Sequence, residues 1–168
     1  GIFVDSGVLR FSDGSLGSGS KLALGAESVG GDDATLVFGA ADLTTTRNLE
    51  IRAGTGARLV SYTPDSGTST LAGGITLSNS LAFNVASGGT VKFEGTVTPQ
   101  NSGDVRLALD GGGTLISTGN STTTAANYQI RVGDGTLILG DGALTARTGT
   151  EGIGHGYDLG VDLGADYA

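Results

Sequence analysis

The sequence predicts an all-β fold, a parallel β-helix (solenoid) of roughly seven coils with about 22–24 residues in each. Three observations predict it. First, short apolar segments return at a nearly constant interval. Gly113-Thr114-Leu115-Ile116 comes back 22 residues later as Gly135-Thr136-Leu137-Ile138, and Gly89-Thr90-Val91-Lys92 precedes the first by 24. Thr35-Leu36-Val37-Phe38 and Arg58-Leu59-Val60-Ser61 are offset by 23. Second, many segments alternate apolar and polar residues, as a half-buried strand does. Third, no stretch carries a 3.6-residue period, so long helices are not expected.

Strands are read in order at Ile2–Val4, Val8–Phe11, Lys21–Leu24, Thr35–Phe38, Asn48–Arg52 and Arg58–Tyr62. They continue at Ile75–Leu77, Leu81–Val85, Thr90–Glu94, Val105–Leu109, Thr114–Ser117, Tyr128–Val132 and Thr136–Leu139. Alternation turns Leu49, Ile51, Val91, Phe93, Ile130 and Val132 to one buried face. Leu36, Leu59, Val91, Leu115 and Leu137 are expected to stack inward, coil over coil. Glycine suits the corners, where the chain bends sharply. Four Asp-Gly pairs, at 13, 110, 134 and 141, read as turns. The same pairs fit hairpins of an antiparallel sandwich, so turn chemistry leaves that rival open. The repeat interval favours the helix.

Composition narrows the classes. Glycine is 32 of 168 residues and proline only 2, which excludes collagen, since that needs glycine at every third position and much proline. Cysteine is absent, so no disulfide or thiolate metal site exists. A net charge of −8 disfavours nucleic acid, because a phosphate backbone calls for clustered Lys and Arg. No apolar run reaches the roughly 18 residues of a membrane span. Residues 1–152 read as the solenoid. Residues 153–168 read as a Gly/Asp-rich terminal coil, a tail or the start of a further repeat.

The segments Gly113-Thr114-Leu115, Gly119-Asn120-Ser121-Thr122, Ala126-Asn127-Tyr128-Gln129-Ile130-Arg131-Val132 and Gly135-Thr136-Leu137-Ile138-Leu139-Gly140 together resemble the autotransporter-associated β-strand repeat. The match is best over residues 113–140. Ser121-Thr122-Thr123-Thr124 stands where that repeat carries an Asn-Thr-Tyr-Thr-Gly turn. The resemblance implies a right-handed parallel β-helix in a large bacterial surface or secreted protein, a passenger stalk or adhesin. It implies an extracellular location and no catalytic residues. Expected partners are neighbouring repeats or other copies of the chain, stacked end to end, and a surface glycan.

Candidate sites follow from residue types. Asp110 and Asp134 are 24 apart and would stack at one corner, where Ca²⁺ could bridge them with nearby carbonyls. The plainer reading makes them turn residues, and no cofactor is expected. His155, the single histidine, has no partner nearby in sequence for catalysis or metal binding. Thr-x-Thr triplets at 44/46, 68/70, 96/98 and 122/124, with another at 148/150, suggest a flat threonine face. Thr44, Thr46, Thr68, Thr70, Thr96, Thr98, Thr122 and Thr124 would then form a binding surface for ice or polysaccharide. A polysaccharide lyase or glycosidase is less favoured, since it needs paired carboxylates and sugar-stacking aromatics, and tryptophan is absent.

Overall fold

The computed structural model describes residues 1–13, 16, 19–28, 30–100, 104–119, 127–140 and 161–162. Along it run β1 (Ile2–Val4), β2 (Gly7–Phe11), β3 (Lys21–Leu24), β4 (Ala34–Phe38), β5 (Thr44–Thr45), β6 (Asn48–Ile51), β7 (Arg58–Tyr62) and β8 (Thr68–Leu71). Then come β9 (Ile75–Leu77), β10 (Leu81–Val85), β11 (Thr90–Phe93), β12 (Val97–Pro99), β13 (Asp104–Asp110), β14 (Thr114–Ser117), β15 (Asn127–Val132), β16 (Thr136–Leu139) and β17 (Val161–Asp162). No helix occurs among the described residues.

The strands form three sheets. Sheet A runs β1-β3-β6-β9-β12, sheet B runs β17-β15-β13-β10-β7-β4-β2, and sheet C runs β16-β14-β11-β8-β5. Every strand pair is parallel. The chain visits the sheets in turn, so it winds as a solenoid of about five turns. This excludes the antiparallel sandwich. The coil number corrects the expected seven. Coil length varies, from 20 residues between Ile2 and Leu22 to 27 between Lys21 and Asn48, and the described strands supply about five turns.

Register places like residues over one another. In sheet A, Leu22, Leu49, Ile75 and Val97 make one inward file, and Leu24, Ile51 and Leu77 another. In sheet B, Leu36, Val60, Phe83 and Leu109 align beside the file Phe11, Phe38, Tyr62 and Val85. In sheet C, Val91 and Leu115 align, as do Leu71 and Phe93. All of these are buried. Phe38 lies 4.7 Å from Phe11 and 6.4 Å from Tyr62, centroid to centroid, which makes an aromatic column. Each such side chain contributes roughly 1.5–3 kcal/mol by leaving water. No coil buries its apolar edge without the next.

One expected inward residue points the other way. Leu59 pairs with Thr35 and Ala82 on the outer side of sheet B and is half-exposed. The residue over Leu36 is Val60, 24 positions on and not 23. A one-residue slip reverses the face. Leu137 is aligned over Leu115 and is partly exposed. Val132 is buried, and the side chain of Ile130 lies outside the described residues.

Candidate functional site: the outer face of sheet C

Inward positions of sheet C hold Ser69, Leu71, Val91, Phe93, Leu115 and Ser117, all buried, so the alternate positions face outward. β8, β11 and β14 show this directly, with burial alternating residue by residue. Register then assembles an outward file of four threonines. Thr90 pairs with Thr68 on one side and with Thr114 on the other, and Thr114 pairs with Thr136. The neighbouring outward file holds Thr44, Thr70, Lys92, Ile116 and Ile138. Successive strands are about 4.8 Å apart, so the hydroxyls and methyls recur at that spacing. β-branching limits each threonine to few rotamers, which keeps the array regular. Lys92 Nζ sits 2.6 Å from Glu94 Oε1, so the central charges of this face pair with each other.

The expected Thr-x-Thr face is divided. Thr44, Thr68 and Thr70 lie on sheet C, and Thr46 follows just beyond β5. Thr44 sits opposite Thr70 and not Thr68. Thr98 lies in β12 of sheet A, paired with Thr76, and Thr96 immediately precedes that strand. Thr122 and Thr124 lie outside the described residues, as do Thr148, Thr150 and His155. Each threonine of the file actually formed follows a glycine, at 67–68, 89–90, 113–114 and 135–136, but Gly-Thr also occurs off sheet C at 54–55 and 95–96.

Asp110 ends β13, and Asp134 lies between β15 and β16. Both are exposed, at the corner between sheets B and C. The glycines that follow them, Gly111 and Gly135, have φ of 98° and 117°, as their turns require. No group of three His, Asp or Glu residues fit to hold a metal ion occurs among the described residues.

Polar groups inside the corners serve the fold. Arg47 donates from Nε to the Leu16 carbonyl at 2.8 Å and from Nη1 to the Lys21 carbonyl at 3.3 Å, which ties down the segment after β2. Arg58 is almost fully buried, and its Nη1 donates to the carbonyls of Gly56 and Ala57. Burial lowers the Arg58 pKa, and the charge of Asp33 opposes that. Comparison of the chain with family models, curated proteins and solved structures gave no match.

Proposed function

We propose that this chain is a structural and adhesive rod, a segment of a bacterial cell-surface or secreted protein that acts without catalysis as a stalk, filament subunit or adhesin passenger. One observation carries the reading: inward files continue through successive coils, so each coil is braced by the next along a single axis. The resemblance of residues 113–140 to the autotransporter-associated repeat supports the same setting. Its partners are neighbouring repeats or further copies that extend the stack. Protease shaving of intact source cells, with electron micrographs of the purified protein, tests this. The expected result is a narrow rod accessible from outside the cell. A protein protected inside the cell would overturn it.

The threonine file of sheet C favours a second reading, a module that binds ice or polysaccharide. Such a face offers hydroxyls at a fixed interval. Thermal hysteresis and a glycan array are the assays. Thr90→Tyr with Thr114→Tyr should abolish binding and leave the melting curve in place. Absence of binding by the native chain in both assays would remove this reading.

A further inference from the structure

The corner between sheets A and B carries a charge cluster that the rod reading does not use. Arg52 follows β6, in the third coil. Its Nη1 donates to Asp5 Oδ1 at 3.3 Å, in the first coil. Its Nη2 lies 3.0 Å from Glu27 Oε1, in the second. Its Nε donates to Glu50 Oε1 at 3.3 Å, in the third. The guanidinium stands 4.8 Å from the centroid of the Phe3 ring, which belongs to β1. Lys21 of β3 completes the group, with Nζ 2.6 Å from Glu50 Oε2 and 5.6 Å from the same ring. One cation therefore touches three successive coils. Its side chain is 8% exposed, whereas those of Asp5 and Glu27 are 69% and 76% exposed.

We propose that Arg52 is an acid-released strap that fastens the first coil to the second and third.

Near neutral pH the two cations, Lys21 and Arg52, face three carboxylates, those of Asp5, Glu27 and Glu50. Acid removes the three negative charges. Two positive charges then remain beside Phe3, and Arg52 becomes a largely buried cation with no counter-charge, which is costly. Glu50 adds a direction. The hydrogen bond from Lys21 holds its pKa below the ordinary 4.5, against the opposing effect of burial, with Arg52 also lowering it. A lowered folded-state pKa gives stability that is present above the ordinary value and is lost as pH falls through the lowered one. The first coil is the one to respond. Among the described strands, β1 pairs only with β3, and β2 only with β4. Elements held on one side open before those held on two. The inference goes beyond the rod reading and does not depend on where the protein resides.

Hydrogen exchange of the full chain, corrected for intrinsic rates, tests it at about pH 7 and about pH 3. The quantity read is protection of β1 and β2 relative to β7. In the native chain it should fall at least fivefold on acidification. In Arg52→Met it should be low at both pH values, with a ratio near one. A variant that keeps Arg52, Asp5→Asn with Glu27→Gln and Glu50→Gln, should behave the same way, and it serves if Arg52→Met fails to fold. An unchanged ratio in the native chain would overturn the strap. So would a native-like acid response in whichever of the two variants folds.

Discussion

The Arg58 guanidinium occupies the space that a side chain at Gly25 would need. Gly25 has a φ of 89°, and a Cβ built there would collide with the Arg58 Nε and Cζ. Two demands thus meet at one position, a left-handed backbone and room for a buried arginine from the next coil.

Gly25→Ala should therefore destabilise the fold by about 2–4 kcal/mol, through overpacking and an unfavourable φ together. Urea unfolding measures it. In an Arg58→Ala background the same change should cost only about 1 kcal/mol, the backbone part. Equal costs in both backgrounds would mean that the two residues do not compete for space.

Leu36 and Leu59 provide a test of register. Leu36 lies in the core, and Leu59 lies on the outer side of sheet B. Leu36→Ala should cost about 2–5 kcal/mol, and Leu59→Ala less than about 1 kcal/mol. Thermal or urea unfolding of the two variants distinguishes them. The reverse order would place the slip between β4 and β7 incorrectly.

Leu115 is fully buried, aligned with Val91 on one side and Leu137 on the other. Leu115→Asp puts a carboxylate into that dry file. It should cost more than about 4 kcal/mol and unfold several coils together, because stability is shared between neighbours. Circular dichroism on heating reads the outcome. An unchanged melt would contradict the alignment.

Much of this architecture was legible in the sequence, and the losses have physical causes. The strands Arg58–Tyr62, Ile75–Leu77, Leu81–Val85, Thr114–Ser117 and Thr136–Leu139 form where alternation places them. Thr44–Thr45, Thr68–Leu71 and Val97–Pro99 escape that reading. They are short and rich in threonine, and their apolar content is too low to raise a period-2 signal. They are held by backbone pairing to the coils beside them and by the burial of single residues, Leu71 and Val97. Leu59 was misplaced because coil length varies: Leu36 meets Val60 after 24 residues, whereas Leu49 meets Ile75 after 26. Repeat spacing alone does not hold register to one residue, and one residue decides the face. The outward threonine file was obscured for the same reason. Its members share a Gly-Thr dipeptide, but only pairing shows which threonines lie side by side.

Tyr62 sets a pH limit on the alkaline side. Its hydroxyl donates to the Ser66 carbonyl at 2.7 Å. Burial raises the phenol pKa above 10.0, Ser69 opposes this through a hydrogen bond, and the charge of Asp42 adds to it. A raised folded-state pKa gives stability that is full below the unfolded value and is lost as pH rises through the folded one. Stability should fall as the solution passes above about pH 10. Tyr62→Phe should remove that part of the fall, and should cost about 1 kcal/mol at neutral pH for the lost hydrogen bond. Denaturant midpoints at several pH values decide it.

The parallel stacking has a mechanical corollary. Backbone hydrogen bonds between coils point along the length of the solenoid, so tension applied at its two ends pulls them open lengthwise, one layer after another, and does not shear many at once. Such a body yields in small, repeated increments. Each released layer of about 24 residues pays out roughly 80 Å of slack, a graded shock absorber in place of a brittle tether.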